Sequence, residues 1–127
     1  MEEQVMRKIM LIGLTVFLIS SCAEWEVLGP TDGELTVELL NVEVTFDYDN
    51  SELILFNKNY RGARVIVSRR ANDVWSEYLE LIDRNVPGLS EVTEESYFDS
   101  GDKIKLWIRI LDDNNEEVWR ETYFVLG

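Results

Sequence analysis

Five side chains near the C-terminal end could meet a ligand: Trp107, Arg109, Trp119, Glu121 and Tyr123. They fall at alternate positions of two pleated runs, so they share one side if those runs pair as a hairpin. Flat aromatic rings beside hydrogen-bonding ions suit sugar rings or a protein partner. The set is structural instead if a second sheet or the connection over residues 84–100 covers it, or if this side is the core side. Two acidic turns form a second set, Asp47, Asp49 and Glu52 in one, Asp112, Asp113, Glu116 and Glu117 in the other. Hard cations want six or more oxygens, and such a turn can begin a calcium site. Neither turn has the glycine at the sixth position and glutamate at the twelfth that an EF-hand loop needs, so solvated turns are expected and no metal is assigned.

Carboxylate-pair hydrolysis is the third possibility. A glycosidase needs two carboxyls about 5–9 Å apart across a cleft. Acids are so abundant here that proximity would arise by chance, and nothing marks a cleft. The chain has no histidine, which removes the commonest general base and closes serine–histidine and cysteine–histidine catalysis. A small carboxylate-dependent hydrolase therefore stands only as an alternative. The expectation is no enzyme, no catalytic residue and no cofactor.

The segment that places the protein is Met6 to Cys22. Arg7 and Lys8 precede Ile9 to Ile19, apolar except for Gly13 and Thr15. A membrane span needs roughly 20 apolar residues, so this shorter run is the core of a signal peptide. It ends in Ile19-Ser20-Ser21-Cys22, which resembles the lipobox of bacterial lipoproteins. The resemblance implies cleavage before Cys22 and a diacylglyceryl group on its sulfur. Residues 1–21 would then be a signal helix, and the membrane a partner through Cys22. Each buried CH₂ contributes about 0.8 kcal/mol, so two or more acyl chains hold firmly. Ala23 stands where an aspartate would signal inner-membrane retention, which implies the outer membrane of a bacterial cell envelope. Glu24 and Glu26 loosely resemble the surface-export signals of Bacteroidota lipoproteins. Met1 and Met6 both remain as starts; Met6 would omit Glu2 and Glu3.

One cysteine allows no internal disulfide, so the body relies on apolar packing. Hydrophobic residues are 46% of the chain and aromatics 11%, enough for a modest core. The formal charge is -13. Such a body is repelled by nucleic acid and by anionic headgroups.

Residues 22–33 read as a tether closed by the turn Gly29-Pro30-Thr31-Asp32-Gly33. Leu35, Val37 and Leu39 alternate with polar residues, and the phase flips into Leu40, Val42, Val44, Phe46 and Tyr48. The flip predicts a bulge, or a break that lets the strand change sheets. Leu53 to Phe56 reads as a buried central strand, and Ala63 to Ser68 as a β-branched one. Lys58, Arg61, Arg64, Arg69 and Arg70 are expected to neutralise facing acidic strands. Residues 74–82 fit helical spacing too, but follow a strand after a polar turn, so a strand is expected. Residues 84–100 read as a long connection pinned by Leu89, Val92, Tyr97 and Phe98, with a short strand near 94–98.

Ile104, Leu106, Ile108 and Ile110 then alternate cleanly, and Val118 to Leu126 returns. A three-residue loop, Asn114 to Glu116, would set Arg109 opposite Glu121, Trp107 opposite Tyr123 and Leu106 opposite Phe124, avoiding opposed arginines. About seven strands over 34–127 predict an all-β, immunoglobulin-like β-sandwich. The closing hairpin looks like the last two strands of an immunoglobulin-like or fibronectin type III domain, without paired cysteines. The expected function is a lipid-anchored, non-catalytic binding or structural module, with a protein partner in an envelope assembly. The alternative is a glycan-binding surface lipoprotein using the aromatic set.

Overall fold

Period-2 alternation builds this molecule almost throughout. The computed structural model describes residues 25–70 and 77–127. The signal segment, Cys22 and residues 74–76 of the ambiguous stretch lie outside the described residues. The described strands are β1 (Val27–Leu28), β2 (Glu34–Leu39), β3 (Val42–Asp47), β4 (Glu52–Asn57), β5 (Ala63–Arg70), β6 (Leu79–Val86), β7 (Ser90–Glu95), β8 (Lys103–Leu111) and β9 (Glu117–Leu126). They form a five-stranded sheet, β1-β9-β8-β5-β6, and a four-stranded sheet, β2-β3-β4-β7. The fold is an all-β sandwich, as expected, and no helix occurs among the described residues. Val27–Leu28, within the expected tether, pairs in parallel with Val125 and Leu126 of β9.

The core lies between the sheets. Val42, Val44 and Phe46 of β3 and Leu53 and Leu55 of β4 meet Val65 and Val67 of β5 and Ile104, Leu106 and Ile108 of β8, all fully buried. Phe46 packs edge-on against Phe98 at 5.3 Å and Phe124 at 5.9 Å between ring centroids. Burying each large apolar side chain contributes roughly 1.5–3 kcal/mol, and no disulfide is needed.

Polar groups close both ends and one side. Buried Asn57 donates to the carbonyls of Arg61 and Val86 at 2.8 and 3.0 Å, and its own oxygen accepts the Asn59 backbone N–H. At the other end the Arg69 guanidinium lies 2.8 Å from the Asp102 carboxylate, which also accepts the Asp99 backbone N–H. Arg84 of β6 reaches Glu94 of β7 at 2.6 Å, linking the two sheets along their open side.

Three local expectations need correction. The phase flip at Leu39-Leu40 is neither a bulge nor a change of sheet. Leu40 and Asn41 take φ of 51° and 60°, the two-residue turn that joins β2 and β3 within one sheet. A left-handed leucine costs roughly 1–2 kcal/mol. Asn59 Nδ2 donates to its carbonyl at 2.9 Å and the Lys58 backbone N–H donates to that of Asn41, holding the turn.

Residues 84–100 are not a long connection. β6 runs to Val86, the chain turns at Pro87-Gly88-Leu89, and β7 starts at Ser90 on the other sheet. A Cβ at Gly88 would overlap the Tyr60 carbonyl, so only glycine permits this close pass. The short strand near 94–98 is displaced to 90–95. Val92 and Phe98 pack on the core, whereas Leu89 and Tyr97 are exposed.

The closing hairpin has the expected three-residue length, but its loop is Asp113 to Asn115. Arg109 therefore faces Trp119, Trp107 faces Glu121, and Leu106 faces Thr122. The reason is the left-handed site that such a loop needs. Asn115 occupies it with φ of 64°, which costs asparagine less than it would cost glutamate at 116. Asp112 fixes the turn by accepting the backbone N–H groups of Asn114 and Glu116, each at 2.9 Å.

Candidate binding face

Burial of Ile104, Leu106 and Ile108 turns the alternate residues of β8 outward, and pairing turns those of β5 and β9 the same way. Trp107 and Trp119 stack with centroids 6.5 Å apart and planes 28° from parallel. Trp107 is half-buried, while Trp119 and Tyr123 are 54% and 42% exposed. Arg109 joins the face but pairs with Glu117 at 3.2 Å, not with Glu121. The Tyr123 hydroxyl donates to the Glu121 carboxylate, and that bond pushes the phenol up to about 12. The five expected residues thus share one surface, in a register two residues away from the one anticipated.

The structure adds members that sequence reasoning did not assemble. Trp25 meets Tyr123 edge-on at 5.3 Å. Lys103 sits 5.5 Å from the Trp25 ring, and Arg70 5.9 Å from it. Arg70 and Lys105 flank Tyr78 at 5.3 and 5.7 Å. Arg64 lies 5.9 Å over Trp107 while gripping Asp83 through two bonds of 2.9 and 2.6 Å. That grip holds the Asp83 carboxyl below its ordinary range. Cation–ring contacts of this kind contribute about 0.5–1 kcal/mol when exposed. The outcome is an open sheet surface in which rings alternate with cations. Strand parity could have supplied Lys103 and Lys105, which share the spacing of Trp107. Trp25 and Tyr78 come from distant chain, so no local pattern points to them.

The expected neutralisation holds for three of the early cations. Lys58 bridges Glu38 at 3.0 Å and Glu43 at 3.2 Å, Arg64 takes Asp83, and Arg69 takes Asp102. Arg61 instead bonds the Asp112 carbonyl and Asn115.

The outer side of the four-stranded sheet has the opposite character. Glu34, Glu38, Glu43, Glu52, Glu91 and Glu95 project there around Ile54 and Phe56. Asp47 is spent on its own turn: one oxygen accepts the backbone N–H groups of Asp49 and Asn50, the other the Asn50 amide at 2.8 Å. The Asn50 amide is the main cause of its lowered carboxyl range. Asp49 lies against Gly33, and Asp112 and Asp113 sit in the closing turn. Among the described residues, no group of three or more acids, cysteines or histidines converges as a metal cage.

No protein-family model matches this chain, nor does any curated protein or solved structure. The functional reading therefore stands on the residues and their placement.

Proposed function

We propose that the protein is a lipid-anchored lipoprotein of the bacterial cell envelope, on the outer membrane. It acts there as a non-catalytic binding or structural module with a protein partner in an envelope assembly. The observation that carries this reading is the order of features ending in Ile19-Ser20-Ser21-Cys22. The position of Trp25 supports a short tether, because this residue, three after the cysteine, already packs on Tyr123 of β9. Mass spectrometry of the protein recovered from bacterial membranes should show Cys22 as an acylated first residue. Cys22→Ser should leave the protein unacylated and out of the membrane fraction. An intact leader or a free thiol at Cys22 would overturn the reading. Cross-linking in intact envelopes should capture a protein neighbour; recovery of the protein alone would count against the partner.

The exposure of Trp119 and Tyr123 beside stacked Trp107 supports a second reading, glycan binding at the aromatic face. Glycan arrays should then show binding by the wild type and none by Trp107→Ala, Trp119→Ala. No binding, or equal binding by both, removes it.

A further inference from the structure

The basic, aromatic face is the face next to the anchor. Trp25 packs on Tyr123, and Val27, 62% exposed, follows on the same side of β1. Two residues separate Cys22 from Trp25, so their Cα atoms can stand no more than about 11 Å apart. A bilayer holding acyl chains on Cys22 therefore lies within reach of this surface. The side chains there are of the types that settle in a headgroup layer. Tryptophan and tyrosine rings lie at the boundary, and lysine stems cover apolar surface while their ammonium groups reach phosphate.

The overall charge of -13 opposes contact with an anionic surface, but distance decides which charges count. The field of such a surface decays within about 8 Å at physiological salt. The second sheet packs about 10 Å behind the first, and its glutamates project farther still. Lys103 and Lys105 lie on the near side, and neither has an ion pair among the described residues. On the near face Glu117 and Asp83 are offset by Arg109 and Arg64, and Glu80 and Glu121 are outnumbered by Lys103, Lys105 and Arg70, so that face is attracted while the far face is screened.

From this we infer that the Trp25–Tyr123–Trp119 face rests on an anionic bilayer surface, with Lys103 and Lys105 against lipid phosphates and the acidic sheet turned away. The inference rests on Cys22 being the anchor. It gives to the bilayer the face that a glycan would otherwise take, and leaves the acidic sheet for a partner.

The test uses the full-length lipidated protein carrying Trp75→Phe, so that Trp25, Trp107 and Trp119 are its only indoles. It is reconstituted into phosphatidylcholine vesicles, with or without phosphatidylglycerol, containing a headgroup nitroxide lipid. The protein should float with both kinds of vesicle. Its indole emission should be quenched in the anionic vesicles and recover in high salt. Lys103→Glu, Lys105→Glu should relieve the quenching while flotation and the β circular dichroism persist. Each cation removed should lower the docked-to-undocked ratio about fivefold. A fluorophore on Thr93→Cys, on the acidic side, should stay bright. Equal quenching in neutral and anionic vesicles, or quenching of the residue 93 label instead, would overturn the orientation while leaving the anchor standing. A soluble glycan that protects the indoles while the vesicles fail to quench them would overturn it in favour of the glycan. Failure to float at all would strike the anchor itself.

Discussion

On the outer side of β3 and β4, Glu43 stands opposite Phe56 and Thr45 opposite Ile54; on the outer side of β5 and β8, Arg64 stands opposite Arg109 and Ile66 opposite Trp107. Both surfaces place apolar residues at their centre and like charges near their margins. They differ in how the charges are relieved. Arg64 and Arg109 each have a carboxylate, and Arg64 also has a ring beneath it. Glu52 and Glu95 face each other directly, and Lys58 is the only cation on their side with an ion pair among the described residues. The basic face is cohesive by itself; the acidic face is carried by the core beneath it. An excess of acid over the whole chain therefore conceals one surface on which cations and rings predominate.

The largest test of this contrast is steric. Trp107→Ala should lower stability by about 2–3 kcal/mol in urea unfolding, because the ring supports Ile66, Arg64 and Trp119. Glu43→Ala on the other side should stay within about 0.5 kcal/mol. Equal losses would break the distinction between a cohesive and a carried surface.

Next comes repulsion. Glu95→Lys converts the pair with Glu52 from like to opposite charge and should raise stability by about 0.5–1 kcal/mol. The gain should fade in 1 M salt, where the screening length is about 3 Å. No gain at low salt would mean that the acidic surface is not under strain.

Titration separates the two surfaces more finely. The hydrogen bond to Glu121, with burial, raises the Tyr123 phenol from the ordinary 10 to about 12 in the folded protein. The stability from this bond is whole below pH 10 and is lost as pH rises through about 12. Burial raises the Tyr48 and Tyr78 phenols as well, so phenolate absorbance should show several late-titrating tyrosines, of which Glu121→Gln should bring only Tyr123 markedly earlier. The smallest effect lies at the acid end. Arg64 lowers the Asp83 carboxyl beneath its ordinary 3.8, so that contribution is present above 3.8 and lost as pH falls below it. Asp83→Asn should flatten that part of the acid unfolding curve.

Much of the sandwich was legible because strands buried on one face announce themselves. The run Ile104, Leu106, Ile108 gave β8 and the side on which Trp107 lies. The failures have specific causes. β6 and β7 are edge strands whose inward positions include Arg84 and Glu94, so alternation was too weak to separate them from a connection. The turn at Leu40-Asn41 carries no glycine, and leucine gives no sign that it will take a positive φ. The hairpin register depended on which residue takes the left-handed position, a backbone matter that cross-strand charge pairing did not reveal. The five aromatic-face residues were found together, but their cationic neighbours were not. Lys103 and Arg70 meet Trp25 only through β1, whose two residues carry too little pattern to predict a strand.

The margins of the four-stranded sheet carry one more consequence. β2 and β7 each leave a row of backbone groups open to pairing with another molecule. Glutamates at 34 and 38 guard one margin, and those at 91 and 95 the other. Replacing all four with glutamine would remove that guard while leaving the core beneath unaltered. Such a variant should cloud through ribbon-to-ribbon stacking of still-folded molecules, under conditions where the wild type stays clear.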